Sequence, residues 1–122
     1  MVENTDRWRN LEVWKLGDEF ARNVYQATKT FPKDEVYGIS SQLRRAALSV
    51  PTNIVEGYSR RGDKELARFI DIALGSLAEA KYLLHFSHSL GYLDEASFNV
   101  LSERANNVGA KLWKFYETVR NS

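Results

Sequence analysis

Histidine and glutamate are the residue types in this sequence that could carry out metal or acid–base chemistry. The two histidines, His85 and His88, are three residues apart, so on a helix both imidazoles could reach one metal ion. No carboxylate lies within one turn of this pair, and the sequence has no Glu-x-x-His motif of the kind that di-iron bundles use. We therefore predict no metal and no cofactor, and packing or capping roles for both histidines.

Glu56 and Glu79 each lie among apolar residues on predicted helices, and could meet as a carboxylate pair. The alternative, which we prefer, is that each accepts hydrogen bonds from neighbouring side chains, because a buried charge must be paired. This alternative predicts a structural polar network of Arg45, Ser49, Asn53, Glu56 and Glu79, with Arg60 as a further donor. The sequence has no nucleophile elbow and no phosphate-binding glycine loop. We predict no catalytic residue, no enzyme activity and no small-molecule substrate.

Basic residues around the second predicted helix are candidates for contacts to nucleic-acid phosphates. They are Arg44, Arg45, Arg60, Arg61, Lys64 and Arg68. The two arginine pairs are roughly 24 Å apart on a straight helix that rises about 1.5 Å per residue. Repeated around a ring of subunits, this small cluster would become a positive surface. In the alternative, Arg45 and Arg60 neutralise internal carboxylates and too few free charges remain.

The composition is that of one soluble globular domain covering residues 1–122, with 43% hydrophobic and 27% charged residues. The 17 basic residues nearly balance the 16 acidic ones, which excludes a strongly basic nucleic-acid binder. The lack of cysteine excludes a disulfide framework and a thiolate zinc site. No apolar run approaches the roughly 20 residues of a membrane span, and the start MVENTDRWRN lacks the apolar region of a signal peptide. We expect a cytoplasmic protein without a membrane partner.

Apolar residues recur at helical spacing along four stretches, and no strand-like alternation is present. The first helix is predicted from Leu11 to Phe31, after ten residues that are expected to be partly irregular. The second, over residues 37–61, is expected to kink at Pro51, because proline lacks an N–H and crowds the carbonyl four residues back. The third covers about residues 64–89, and the fourth extends from residue 95 to the end.

Capping residues support these boundaries. Asp34, Asp63 and Asp94 are predicted N-caps of the second, third and fourth helices, and Gly62 ends the second helix. Leu93 and Phe98 could form a hydrophobic staple around the last cap. Four helices with short connections predict an all-α, up-down-up-down four-helix bundle.

Two of the helices carry more apolar residues than the core of one bundle requires. A second apolar line on the second helix contains Tyr37, Leu48 and Val55, and one on the third contains Ile72, Leu83, Phe86 and Leu90. Gly75 and Ser76 are small enough to let a neighbouring backbone approach. We predict a homo-oligomer interface at Tyr37, Leu48, Val55, Ile72, Leu83 and Phe86. In the alternative these are scattered surface residues that need no partner.

Three segments of the chain are LEVWKLGDEF, TFPKDEVYGISSQLRRAALSVPTNIVEGYSRR and FIDIALGSLAEAKYLL. Together they resemble the bacterial "four helix bundle protein" family, also named for proteins encoded by intervening sequences in large-subunit ribosomal RNA genes. The resemblance implies a four-helix bundle that assembles as a pentameric ring. Similar proteins include the accessory proteins of diversity-generating retroelements, which form pentameric barrels that bind nucleic acid and a reverse transcriptase.

The predicted function is a non-enzymatic, homo-oligomeric scaffold or adaptor. RNA, a ribonucleoprotein or a nucleic-acid-processing protein is the expected partner. The alternative is a protein–protein interaction module without affinity for nucleic acid.

Overall fold

The computed structural model describes residues 2–122, and all four predicted helices are present in it. They are α1 (Glu12–Thr28), α2 (Ile39–Tyr58), α3 (Asp63–Ser89) and α4 (Glu95–Arg120). A 3-10 helix, Val2–Asn10, precedes α1 and is interrupted at Asp6, whose φ of −105° and ψ of 22° are not helical. The first ten residues were predicted to be partly irregular; Met1 lies outside the described residues.

The helices pack in sequence, and α4 closes the bundle against α1. Two ion pairs show that α1 and α4 are antiparallel: Lys111 pairs with Glu12, and Arg104, seven residues earlier, pairs with Glu19, seven residues later. Phe20, Leu43, Ile54, Ile70, Leu84 and Leu112 are fully buried between the four helices. The predicted all-α, up-down-up-down four-helix bundle is confirmed. Within residues 2–122, no helix combines the length and the apolar character needed to cross a bilayer.

The α1–α2 connection differs from the prediction. α1 ends at Thr28 rather than Phe31, and α2 begins at Ile39, two residues after Tyr37. Asp34 lies in a short 3-10 turn, Lys33–Glu35, and does not cap α2. The carboxylate of Glu35 takes that place, because its Oε1 accepts a hydrogen bond of 3.3 Å from the Ile39 N–H.

α2 continues through Pro51 as one uninterrupted helix, and the predicted kink is not confirmed. Proline removes the N–H that would bond to the carbonyl four residues back. Beside it, Thr52 Oγ1 donates to the Leu48 carbonyl at 2.8 Å and Asn53 Nδ2 to the Ser49 carbonyl at 2.8 Å. Gly17 of α1 lies opposite, where a methyl group in place of its hydrogen would be 3.8 Å from the Pro51 Cα. α1 therefore packs closely against the turn that contains the proline.

The predicted caps of the later helices agree only in part. Asp63, predicted as the N-cap of the third helix, is the first residue of α3, and Gly62 is the N-cap. Gly62 has a φ of 88°, a conformation that glycine adopts without strain, and it separates α2 from α3. Asp94 is the N-cap of α4, as predicted, and its Oδ1 accepts a 2.8 Å hydrogen bond from the Ser97 N–H. Leu93 is buried and Phe98 is partly buried against the core.

We expect the Asp94 cap to make stability depend on acidic pH. The hydrogen bond from Ser97 lowers the pKa of Asp94. Because the folded pKa lies below the unfolded value of about 3.9, the cap's contribution is fully present above that value and is lost as the pH falls through the folded pKa. Asn at this position accepts the same bond without titrating. Urea denaturation at a series of pH values should therefore show a smaller acid loss of stability for Asp94→Asn than for the wild type; parallel curves would contradict this.

Candidate interaction surface on the second and third helices

The candidate phosphate contacts fall into three groups in the structure. Arg44 is used internally: its Nε donates to Thr28 Oγ1 at 2.6 Å and its Nη2 to the Tyr25 carbonyl at 3.2 Å. It therefore ties α2 to the end of α1 through one edge of its guanidinium, and only the opposite edge remains available to an anion.

Arg60 and Arg68 flank the ring of Phe69, at 5.2 Å and 4.6 Å from its centroid. Each also pairs with a carboxylate close to it in sequence, Arg60 with Glu56 at 2.8 Å and Arg68 with Glu65 at 3.2 Å. The hydrogen bond from Arg68 lowers the pKa of Glu65. These pairs are solvent-exposed, so they hold the cations weakly.

Arg45, Arg61 and Lys64 form the third group. All three are exposed, and none has a hydrogen bond or ion pair within residues 2–122. Three of the six predicted basic residues thus have no hydrogen bond or ion pair. Arg45 lies on α2, Arg61 in the α2–α3 connection and Lys64 in the first turn of α3.

The predicted polar network is present in part. Ser49 Oγ and Ser76 Oγ are 2.9 Å apart and join α2 to α3, and Asn53 Nδ2 donates to Ser49 Oγ at 2.8 Å. Glu56 belongs to the separate surface pair with Arg60. Neither Arg45 nor Glu79 is hydrogen-bonded or ion-paired in the described part of the chain.

A groove of about 490 Å³ runs along this serine contact. We call it the α2–α3 groove; it is lined by Gln42, Arg45, Ala46, Ser49, Ser76 and Glu79. Arg45 and Glu79 are exposed charges of opposite sign that line it from α2 and from α3. A second surface that enters the groove could therefore pair with both.

The hypothetical catalytic pair of carboxylates does not form. The methyl position of Gly57 lies against Phe69, which places Glu56 level with the start of α3. Glu79 is ten residues further along α3, and helix geometry separates the two by about 15 Å. The arrangement offers no shared proton site.

The histidines lie in different surroundings. His88 Nε2 is 3.0 Å from Glu95 Oε1, and its ring stacks on Phe98 at a centroid distance of 4.2 Å. His85 is exposed, 6.4 Å from the ring of Tyr82. His88 thus packs across the α3–α4 connection, and residues 2–122 contain no group of three or more potential metal ligands.

Exposed apolar side chains continue the α2–α3 groove along α3. Ile72 is 41% exposed and Phe86 is 40% exposed, and with Glu79 between them they are spaced at seven-residue intervals. Tyr82 and Leu90 lie on the same face and are also exposed. We call Ile72, Tyr82, Phe86 and Leu90 the α3 apolar stripe. Gly75 lies beside it, with no atom within 4 Å of the methyl position.

The remaining predicted interface residues differ widely in solvent exposure. Leu83 is 7% exposed and belongs to the core of the single chain, so it is not available to a partner. On α2, Val55 is half-buried, and Tyr37 lies before the helix and is 95% exposed. Leu48 is 46% exposed and borders a groove of about 480 Å³ on the α1 side, which also contains Tyr25.

Tyr25 and Tyr82 are part of these surfaces but were not singled out in the sequence. Tyr82 lies four residues before Phe86, so a search for apolar neighbours one turn apart would have found it. Tyr25 carried no such signal, because its relevance depends on where α2 lies against α1.

Comparison with known proteins agrees with the fold. The 23S rRNA-intervening sequence protein family matches this chain over residues 9–114. The chain is also similar to a crystal structure of a protein of unknown function from the S23 ribosomal protein family of Bacteroides thetaiotaomicron VPI-5482. The TM-score is 0.77 and the identity is 19%, over 85% of this chain and 97% of that one. A search among curated proteins finds no match.

Proposed function

Because the chain belongs to the 23S rRNA-intervening sequence protein family, whose name indicates no catalytic activity, we propose that it is a non-enzymatic scaffold that acts as a homo-oligomer. The α3 apolar stripe is the observation that carries this proposal. Large apolar side chains that share one helix face are typical of interaction surfaces, whereas isolated ones are not.

The charges beside the stripe support the same interpretation. Arg45 and Glu79 are unpaired in the single chain although they border one groove. A second copy of the chain that covers the stripe would also cover the α2–α3 groove. Its own charged side chains could then pair with Arg45 and Glu79. Opposite charges on one interface fix the register of two subunits more than they add affinity.

The position of Leu48 bears on the symmetry of the assembly. The α3 apolar stripe and the Tyr25–Leu48 groove lie on different faces of the bundle, so the first can meet the second on the next subunit. Such a head-to-tail contact produces a ring when the rotation closes. The pentamer that the family resemblance implies is one ring of this kind.

Multi-angle light scattering at micromolar concentration tests the proposal. We expect a mass several times that of the 14.0 kDa chain. A monomer at that concentration would contradict the homo-oligomer.

RNA or ribonucleoprotein binding is a second candidate function, which Arg45, Arg61 and Lys64 favour because none of them has a hydrogen bond or ion pair in the described chain. Three cations per subunit would be multiplied around a ring. We expect binding of structured RNA to weaken with salt, with a log–log slope of about −0.7 to −0.9 per contacted phosphate. The double variant Arg61→Gln/Lys64→Gln should reduce this slope, and Lys81→Gln serves as the matched control. No affinity at low salt, or affinity without a slope, would favour a protein–protein module instead.

A further inference from the structure

A groove between the end of α1 and the start of α2 has features that the scaffold function does not require. Its volume is about 460 Å³. Phe31, Pro32 and Val36 supply its apolar lining, and Lys29, Lys33 and Arg44 supply three cations. No carboxylate of residues 6–122 lines it. We call it the Arg44 groove.

Arg44 is held in place before any ligand arrives. Its Nε and Nη2 donate to Thr28 Oγ1 and to the Tyr25 carbonyl, and its guanidinium lies 4.8 Å from the centroid of the Tyr25 ring. Thr28 is fixed in turn, because its hydroxyl donates to the Val24 carbonyl at 2.9 Å. These contacts occupy one edge of the guanidinium, and Nη1 makes no hydrogen bond within the described chain. The free edge has the planar geometry that binds a carboxylate through two parallel hydrogen bonds.

Ser40 lines the same groove, and its hydroxyl has no hydrogen-bond partner in the described chain. The residue is only 5% exposed, but its hydroxyl oxygen is accessible to solvent, because no fully buried side-chain oxygen or nitrogen of the described residues lacks a partner. The hydroxyl can therefore bond to water or to a ligand that enters the groove.

The acidic residues that are close in sequence do not neutralise this site. The carboxylate of Glu35 is occupied, since its Oε1 accepts from the Ile39 N–H and its Oε2 from the Tyr92 hydroxyl at 2.9 Å. The bond to Glu35 raises the pKa of Tyr92. Asp34 is exposed and is not part of the lining. Neither acidic residue lines the groove, and the lining itself carries three cationic side chains.

We infer that the Arg44 groove binds a carboxylate attached to an apolar group. The free edge of Arg44 and the Ser40 hydroxyl bind the carboxylate, Lys29 and Lys33 add favourable charge, and Phe31, Pro32 and Val36 cover the apolar part. A small organic acid and the C-terminal residue of a polypeptide share this chemistry.

Titration with hydrocinnamate, followed by NMR of the ¹⁵N-labelled full chain, tests the inference. We expect saturable shifts of the Ser40 amide and of the Arg44 Nε–H, with a dissociation constant on the order of millimolar, as is usual for a small ligand. The neutral analogue hydrocinnamamide is the matched control and should not saturate. No saturation by hydrocinnamate, or equal binding of both compounds, would overturn the inference.

Ser40→Ala separates ligand binding from folding. Because the hydroxyl bonds to nothing in the described chain, we expect unchanged stability and about tenfold weaker binding of hydrocinnamate, the loss expected for a hydrogen bond to a charged group. Unchanged affinity in this variant would contradict the site. Arg44→Gln should abolish binding, whereas Arg22→Gln, which removes an exposed arginine of α1 that is not part of the groove lining, should not; circular dichroism checks the fold of both.

Two peptides distinguish the sources of the carboxylate. An acetylated Ala-Ala-Phe peptide with a free C-terminus that binds more tightly than hydrocinnamate points to a polypeptide terminus. Weaker binding of the peptide points to a small acid. The amidated peptide should fail in both cases, and binding of it would overturn the inference.

Discussion

Gly57→Ala is expected to destabilise the bundle by about 1–3 kcal/mol, the cost of overpacking a tight contact. A methyl group at Gly57 would lie 2.6 Å from the Phe69 Cβ and 3.2 Å from the Leu66 Cδ1. The first of these atoms is fixed to the backbone of α3, so it cannot rotate away. α2 and α3 would have to separate at the end where they are joined by a short connection, and the buried Phe69 would lose contacts on both sides.

Gly75→Ala is the matched control for this prediction. It is the same substitution in the neighbouring helix, at a position where the new methyl meets nothing within 4 Å. Because glycine is about 1 kcal/mol less favourable than alanine inside a helix, this variant should be more stable than the wild type when the chain is dilute. Urea denaturation of the three proteins measures both changes. A Gly57→Ala protein as stable as the Gly75→Ala one would show that α2 and α3 do not approach each other at Gly57.

The features that were predictable from sequence are those that depend on a few adjacent residues. The Asp94 cap depends on one side chain and on the N–H of Ser97, three residues later. The separation of α2 from α3 depends on the positive φ of Gly62 alone. Helical periodicity located the cores of all four helices in the same way. Their packing into a bundle followed from the short connections between them.

The predictions that differed from the structure depend on residues distant in sequence. α2 begins at Ile39 because Glu35 is held there, in part by Tyr92, which is 57 positions away. Arg44 meets Thr28 across 16 positions, and no local pattern identifies that partner. The sequence alone does not distinguish an arginine that faces solvent from one that, like Arg44, is hydrogen-bonded to a neighbouring helix.

Leu83 shows a related limit of prediction from helical periodicity, because it lies between the core face and the exposed face of α3. The sequence analysis places it on one apolar line with Phe86, but Leu83 is 7% exposed and belongs to the core, whereas Phe86 is 40% exposed. A helical wheel gives the angle between two residues and does not show how far the neighbouring helix extends around it. The width of the core could be determined only from the packed structure.

Phe86→Glu is expected to dissociate the homo-oligomer while leaving the helical content unchanged. The side chain is 40% exposed in the single chain, so a charge there stays in water when the subunits separate. In the assembly the same carboxylate would be buried against an apolar surface, where an unpaired charge is strongly unfavourable. The loss of a large apolar contact costs about 2 kcal/mol or more, which raises the dissociation constant of each contact by about 30-fold before the charge is counted.

Val100→Glu is the matched control, because Val100 is 49% exposed but lies on α4, away from the α3 apolar stripe. Light scattering should report a mass shift for Phe86→Glu and none for Val100→Glu. Leu48→Glu tests the opposite side of the same contact, since in a head-to-tail ring both sides are required and either substitution dissociates it. If only Phe86→Glu dissociated the assembly, the stripe would meet its own copy in a two-fold dimer; if Phe86→Glu unfolded the chain, Phe86 would belong to the core.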